Sequence, residues 1–158
     1  MRFLFYDRVD RLEEGRRIVG TKTFALSEEY LEGHFSREAI VPGVILVEAM
    51  AQLLGWAIVH AHGFKLSAIV SLVEGLTIAK ARLRPGFAAT ITGEIVSTSA
   101  TDSLGRAWMT VEGERLASAE RIIFTHFPAE DPHALEVMFR YCSGLDRHQP
   151  DERGSSDV

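Results

Sequence analysis

The chain of 158 residues carries a formal net charge of −5, and 46% of its residues are hydrophobic and 25% charged. This balance predicts one globular domain that can bury a core. The acidic charge without a basic block argues against nucleic-acid binding, and the single cysteine, Cys142, cannot form an internal disulfide.

The N-terminal part of the chain predicts two short extended elements followed by a polar loop. Residues 2–9 follow Met1 directly and lack the basic region and long apolar core of a signal peptide, so we expect a cytoplasmic protein. Residues 17–25 are rich in β-branched and aromatic side chains, which favours a strand. Ser27 can cap a single helical turn before the loop that carries His34.

A long apolar helix is predicted over residues 42–62. Proline suits the first turn because its missing N–H would be unpaired there, and Gly63 is a natural stop. Apolar side chains cover every side of this helix, so it must be enclosed by other structure. A membrane would enclose it, but the central Glu48 costs about 2.5–3.5 kcal/mol in that setting. A curved sheet around the helix is therefore the predicted arrangement, with no membrane span.

Four strands joined by short turns are predicted after the helix, over residues 67–84, 88–98, 106–112 and 116–127. With the early strand they indicate an antiparallel sheet and an α+β fold, and we expect this domain to occupy residues 1–128. Residues 129–145 predict a short C-terminal helical extension that starts near Pro132. The polar residues 146–158 predict a disordered tail.

Three cations alternate near the end of the first of these strands. Lys80, Arg82 and Arg84 would share one strand face, with apolar side chains on the other. A solvated outer face explains this pattern. The functional interpretation is a docking surface for an acidic partner protein. Without such a surface, the negative net charge of this chain would repel that partner.

Common metal and nucleotide motifs are missing from the sequence. It has neither a His-Glu-x-x-His helix nor a paired-cysteine spacing, so no metal site is predicted. It also lacks a Gly-x-Ser-x-Gly elbow and the Gly-rich loops that bind phosphates. These absences argue against a serine hydrolase of that type and against nucleotide use.

The residues with catalytic potential lie around the start of the long helix. His34 lies in a glycine-flanked loop, Pro42 and Gly43 lead into the helix, and Glu48 follows His34 by fourteen positions. Gln52 comes four residues after Glu48 and therefore shares its helix face. Taken singly, a loop histidine or a helix glutamate is more often structural than catalytic. Their spacing and the Pro-Gly entry favour a catalytic pair.

This segment resembles the active-site signature of FabZ-type 3-hydroxyacyl-[acyl carrier protein] dehydratases, in which Gly-His-Phe precedes Pro-Gly and an apolar helix with Glu-Ala-x-Ala-Gln. The chain keeps Gly33-His34-Phe35, Pro42-Gly43 and Glu48-Ala49-Met50-Ala51-Gln52 at the same spacing. Ser36 and Ala39 stand where the family usually has prolines. The resemblance extends over residues 3–127. It implies the hot-dog fold, assembly as dimers, and a site whose His34 and Glu48 come from different subunits.

The implied reaction dehydrates a 3-hydroxyacyl thioester to the 2-enoyl thioester in fatty-acid or polyketide-like synthesis. His34 is the predicted base for the C2 proton, because a neutral imidazole suits that task near pH 7. Glu48 is the predicted acid for the leaving hydroxyl, because burial among apolar neighbours favours a protonated carboxyl group. The Gly43 N–H, at the positive end of the helix, is the predicted donor to the thioester oxygen.

The remaining expectations concern supporting residues and partners. Phe35 and Gln52 are predicted to contact or support the substrate, and the cationic patch around Lys80 to receive the carrier. No cofactor is expected. The expected partners are a thioester on acyl carrier protein or coenzyme A, and a second copy of the chain in a homodimer or dimer-based oligomer. Two alternatives stay open: a hot-dog thioesterase in which Glu48 activates water, and a non-catalytic acyl-binding subunit, which the presence of both His34 and Glu48 disfavours.

Overall fold

The computed structural model describes residues 4–35 and 37–145. Within these ranges the chain forms six strands, two α-helices and one turn of 3₁₀-helix. In chain order they are β1 (Arg8–Glu13), β2 (Arg17–Phe24), the 3₁₀ turn (Glu29–Leu31), α1 (Gly43–Ala61), β3 (Leu66–Ile78), β4 (Phe87–Thr98), β5 (Asp102–Val111), β6 (Glu114–Pro128) and α2 (Pro132–Ser143).

The six strands form one antiparallel sheet in the order β1-β2-β4-β5-β6-β3. The sheet wraps around α1, which contacts strands from β2 to β6. This confirms the predicted hot-dog fold, an α+β arrangement with one apolar helix inside a curved sheet. In the described part of the chain, β3 has a strand neighbour on one side only, so it is an edge of the sheet.

Helix α1 is the core of the fold. Its length and composition would suit a membrane span, but half of that span is buried inside the protein, and Leu53 and Leu54 at its centre are 0% exposed. The buried members of this helix are Leu46, Ala49, Met50, Ala51, Leu53, Leu54, Gly55, Ala57, Ile58 and Val59. A helix with apolar residues on every side is stable in water only in such an enclosure.

Glycines on three strands let the sheet approach α1 closely. A Cβ atom at Gly20 of β2 would lie 3.1 Å from Leu53 Cδ1, and one at Gly93 of β4 would lie 3.1 Å from Leu54 Cβ. At Gly105 of β5 the Cβ would lie 2.6 Å from Leu54 Cδ2 and 2.8 Å from the backbone oxygen of Glu94. The sheet therefore bends around the helix at the positions where a side chain is missing.

Three predicted strands differ from the observed ones. The strand predicted over residues 106–112 begins four residues earlier, as β5 over Asp102–Val111. The strand predicted over 67–84 ends at Ile78, because the chain then leaves β6 and runs beside the loop before α1, where Val41 N donates to Leu83 O at 2.8 Å. The prediction that Lys80, Arg82 and Arg84 share a strand face is therefore wrong. Near the N-terminus, the extended element predicted over residues 2–9 is instead a strand over Arg8–Glu13.

Helix α2 has well-defined ends. Asp131 Oδ1 accepts a hydrogen bond from Ala134 N at 2.9 Å, and Pro132 occupies the first turn. Gly144 ends the helix in the left-handed conformation, with φ of 69°. The tail predicted over residues 146–158 lies outside the described residues.

The close approach of β5 to α1 gives a stability test. We expect Gly105→Ala to lower the free energy of unfolding by about 1–3 kcal/mol, because the new methyl group meets both Leu54 and a backbone oxygen. The matched control is Gly55→Ala in the middle of α1, where the nearest atom to the new methyl is Phe124 Cε1 at 3.4 Å. That substitution should be neutral or stabilising by about 0.5–1 kcal/mol. Urea unfolding measures the free energy of unfolding of both variants. Equal effects would show that the close approach of Gly105 to Leu54 does not restrict the side chain at position 105.

Candidate active site

The His34 loop is held in a defined shape by backbone hydrogen bonds. Phe35 N donates to Glu38 O at 2.7 Å, and Glu38 N donates back to Phe35 O at 3.2 Å. Ile40 N donates to His34 O at 3.1 Å. These bonds close a tight turn in the region where the family usually has prolines.

One backbone contact fixes the tautomer of the neutral His34 ring. Nδ1 of His34 lies 3.1 Å from the carbonyl oxygen of Ile40. A carbonyl oxygen only accepts, so Nδ1 carries the hydrogen in this contact. In the neutral ring Nε2 then carries the lone pair. The loop therefore presents the half-buried imidazole as a base at Nε2.

His34 opens into a cavity of about 730 Å³ at the N-terminal end of α1. Gly43, the first residue of α1, lines the same cavity, and N–H groups in the first turn of a helix have no helical acceptor. The exposed Phe35 ring lies 4.3 Å from the His34 ring, centroid to centroid, and also lines this cavity. The structure thus brings His34, Phe35 and Gly43 together.

Glu48 lies further along α1 and is oriented by its neighbour. Gln52 Nε2 donates to Glu48 Oε1 at 2.8 Å, and Gln52 Oε1 accepts from Phe5 N, also at 2.8 Å. Since a backbone N–H only donates, Phe5 fixes which end of the Gln52 amide is oxygen. The amide nitrogen must then point at Glu48. This connection to the N-terminal segment spans 47 positions in sequence, and no local pattern indicates it.

The half-buried Glu48 lines a different cavity, of about 490 Å³. Its walls come from four elements: α1 with Gln52 and Trp56, β3 with the segment 67–70, β6 with Phe124, and α2 with Leu135 and Met138. Among the described residues, Glu48 does not line the His34 cavity and His34 does not line the Glu48 cavity. A single chain therefore does not bring the two predicted catalytic residues into one cavity.

The edge strand next to the Glu48 cavity is apolar and exposed. Ile69 is 58% exposed, Leu72 41% and Leu76 46%. An edge strand with large apolar side chains and one unpaired side is a template for pairing with another chain.

The predicted cationic patch has contacts within the chain. Arg82 and Arg84 both bind the Glu38 carboxylate, with Arg84 Nε 2.9 Å from Oε1. The hydrogen bond from Arg82, followed by that from Arg84, lowers the pKa of Glu38. Both guanidinium groups remain about three-quarters exposed, and Lys80 is exposed beside them. These arginines therefore hold the His34 loop in place through Glu38. This role was not predicted from the sequence.

Among the described residues, no three His, Cys, Asp or Glu side chains are grouped closely enough to hold a metal ion. The polar groups in the two cavities are instead suited to moving protons and holding a carbonyl oxygen: an imidazole base, a half-buried carboxyl group and the open end of a helix.

Comparison with known proteins gives a family and a fold. A model of the FabA-like domain matches residues 1–85. A 3-hydroxyacyl-[acyl-carrier-protein] dehydratase FabZ from Clostridium novyi (strain NT) is 36% identical over 120 residues, which is 75% of this chain and 83% of the relative.

Two solved structures share the fold at low identity. A Streptococcus mutans UA159 protein bound to acetyl CoA has a TM-score of 0.62 and 13% identity, covering 83% of this chain and 95% of its own. A hypothetical thioesterase with coenzyme A from Streptococcus pneumoniae TIGR4 has a TM-score of 0.59 and 16% identity, covering 78% and 90%. At these identities the likeness is one of fold.

The Glu38 contacts give a pH-dependent test. Because its pKa is lowered in the folded state, the carboxylate stabilises the fold above the ordinary value of 4.5. That contribution is lost as the pH falls through the lowered pKa. We expect Glu38→Gln to lower the melting temperature at pH 7 by no more than a few degrees, since exposed ion pairs contribute little.

The difference from the unmodified protein should shrink when both are melted near pH 3. The control is Glu32→Gln, an exposed glutamate just before the same loop. A Glu38→Gln effect that is equal at pH 7 and pH 3 would show that the carboxylate charge does not hold the loop.

Proposed function

We propose a two-residue acid–base mechanism for this chain, which belongs to the FabA-like family together with the FabZ dehydratases. The chain is a 3-hydroxyacyl-[acyl-carrier-protein] dehydratase, a hydro-lyase of fatty-acid synthesis. It removes water from a 3-hydroxyacyl thioester and leaves the 2-enoyl thioester. The observation that carries the mechanism is the His34 ring, which Ile40 O holds with Nε2 as the base.

His34 takes the proton from C2 of the substrate. The ring lines the cavity at the start of α1, and because Nδ1–H stays bonded to Ile40 O, Nε2 is the ring nitrogen left for the substrate. The carbonyl also stabilises the imidazolium that forms, because it accepts from the Nδ1–H of the charged ring as well. The C2 proton moves to Nε2, and its electron pair becomes available for the new C2–C3 double bond.

Glu48 gives a proton to the leaving hydroxyl at C3. Gln52 Nε2 occupies Oε1, so Oε2 is the oxygen left to carry the proton toward the substrate. Apolar neighbours such as Trp56 and Phe124 line the same cavity. The C3–O bond breaks as Glu48 protonates the oxygen, and water leaves. Exchange with solvent then returns one proton to Glu48 and removes one from His34.

Gly43 supports the thioester oxygen while the C2 proton leaves. Its N–H lies at the positive end of α1 and lines the cavity of the base. Negative charge that grows on the thioester oxygen is stabilised by such a preorganised donor. A Cβ atom at this position would lie 2.7 Å from Ile78 Cδ1, so the missing side chain lets Ile78 pack against the start of α1. Phe35 borders the same space.

The complete site is shared between two copies of the chain in a homodimer or dimer-based oligomer. Two features support this: His34 and Glu48 line separate cavities in one chain, and the apolar edge of β3 borders the Glu48 cavity. Pairing of two β3 edges would bury this apolar surface. A twofold arrangement would then form two sites, each with the His34 of one chain and the Glu48 of the other.

The substrate arrives on acyl carrier protein, with coenzyme A as the other possible carrier. The cationic surface of Lys80, Arg82 and Arg84 lies beside the His34 cavity, of which Arg82 is a lining residue, and it suits an acidic carrier. His34, Glu48 and Gly43 fill the three roles of the reaction, so the mechanism calls for no cofactor. We place the protein in the cytoplasm.

The catalytic pair gives the main test. We expect His34→Ala and Glu48→Gln each to lower kcat by on the order of 10²–10⁴, the contribution of one positioned proton-transfer group. Both proteins should remain folded. In Glu48→Gln the new side-chain amide keeps an oxygen that accepts the hydrogen bond from Gln52 Nε2. The measurement is formation of the enoyl thioester, scored beside release of free thiol. His133→Ala, which changes an exposed histidine on α2, is the control and should be fully active.

Mixing the two inactive proteins tests the shared site. A mixed dimer would contain one doubly altered site and one intact site, so activity should return in part as subunits exchange. Failure to recover after independently verified exchange would exclude sharing. Near-normal dehydration by either single variant would exclude the mechanism, and thiol release that needs Glu48 but not His34 would identify a thioesterase instead.

Lys80 gives a cleaner test of carrier docking than the arginines, because Arg82 and Arg84 also hold the His34 loop. We expect Lys80→Glu to raise KM for a carrier-protein substrate several-fold while leaving a small N-acetylcysteamine thioester unchanged, since only the carrier brings an acidic surface. The effect should weaken at high salt. Equal effects on both substrates would show that Lys80 acts on the fold rather than on docking.

A further inference from the structure

Helix α2 lies outside residues 1–85, which the FabA-like domain matches, yet it forms part of the Glu48 cavity. Leu135 and Met138 line this cavity opposite the α1 residues Trp56 and Val59. An element beyond the matched region is therefore placed beside the predicted acid.

The helix is fixed in this position rather than loosely attached. Phe139 is 3% exposed, and its ring centroid lies 5.3 Å from that of Trp56 and 5.7 Å from that of Phe64. Buried aromatic contacts of this kind stabilise an element well beyond its own helical propensity. Residues 135 and 138 thus form a wall of defined position.

The Glu48 cavity is apolar away from its carboxylate. Beyond Glu48 and Gln52 the walls are mainly hydrocarbon: Ala51, Gly55, Trp56, Val59, Phe124, Leu135 and Met138. Gly55 leaves space on the α1 side, since a Cβ there would meet only Phe124, at 3.4 Å. An apolar space that is lined in part by the proposed acid for C3 has the chemistry of a site for the substrate's alkyl chain.

We propose that α2 closes this acyl site, and that Met138 sets the length of chain that the enzyme accepts. The proposal rests on the proposed function, because it takes Glu48 as the acid at C3. Met138 is the α2 residue that borders two spaces, the Glu48 cavity and an outer apolar groove between α1 and α2. Leu4, Val137 and Tyr141 line only the groove. The Met138 side chain therefore decides whether an alkyl chain ends in the cavity or continues outward.

The test is a chain-length profile of kcat/KM with 3-hydroxyacyl thioesters from four to sixteen carbons. Each methylene transferred into an apolar site increases binding about fourfold, so efficiency should rise with length until the cavity is full. Met138→Trp should lower kcat/KM for the longest chains at least tenfold relative to its value for the four-carbon substrate. Met138→Ala should shift the optimum to longer chains, because it joins the cavity to the groove.

Val137→Trp is the matched control, since it adds the same bulk one position away but lines only the groove. Its profile should follow that of the unmodified protein. Unchanged profiles for both Met138 variants, or an equal shift with Val137→Trp, would overturn the proposal.

A second measurement separates this proposal from the proposed function. Calorimetry with unreactive S-alkyl pantetheine thioethers reports chain binding without turnover. If no thioester is dehydrated but Met138→Trp still weakens binding of long alkyl chains, the proposed function fails and the acyl site stands. If turnover occurs and neither binding nor turnover of long chains depends on Met138, the acyl site fails and the proposed function stands.

Discussion

The contact between the sheet and the middle of α1 determines the rest of the molecule. Leu53 and Leu54 meet Gly20, Gly93 and Gly105 on three different strands, at distances that leave no room for a side chain. This close approach lets one sheet curve around one helix and bury its centre. The face of α1 that carries Glu48 and Gln52 is then left beside the edge strand β3 and the helix α2, and the Glu48 cavity forms among these elements.

Backbone groups orient the two predicted catalytic side chains, from opposite ends of the fold. Ile40 O accepts from the His34 ring, and Phe5 N donates to the amide of Gln52, which holds Glu48. A carbonyl can only accept and an amide N–H can only donate, so each contact has one possible sense. The tautomer of the base and the free oxygen of the acid therefore follow from the path of the main chain rather than from further side chains.

Sequence reasoning succeeded where the signal is local. An apolar helix with no solvent face requires an enclosure, and the spacing from His34 to Glu48 indicates the family without any structural information. It failed where the partner is distant in sequence. The strand predicted through Lys80 to Arg84 ends at Ile78, because this segment runs beside the loop that contains Glu38, more than forty positions earlier. The hydrogen bond between Phe5 and Gln52 could not be predicted for the same reason, since nothing in the sequence of either segment indicates the other.

The loop of His34 shows how a sequence can replace one source of rigidity by another. A proline stiffens a loop by reducing the freedom of the unfolded chain, and Ser36 and Ala39 lack this effect. Here Glu38 instead binds Arg82 and Arg84, and Val41 pairs with Leu83, so the loop is fastened to the segment after β3. Rigidity that depends on charge has a different consequence from rigidity that depends on proline. Part of the positive charge beside the His34 cavity is already balanced by Glu38, so the same arginines cannot give their full charge to an acidic carrier. In the proposed mechanism, the geometry of the base and the docking of the substrate's carrier are therefore linked through one carboxylate, that of Glu38.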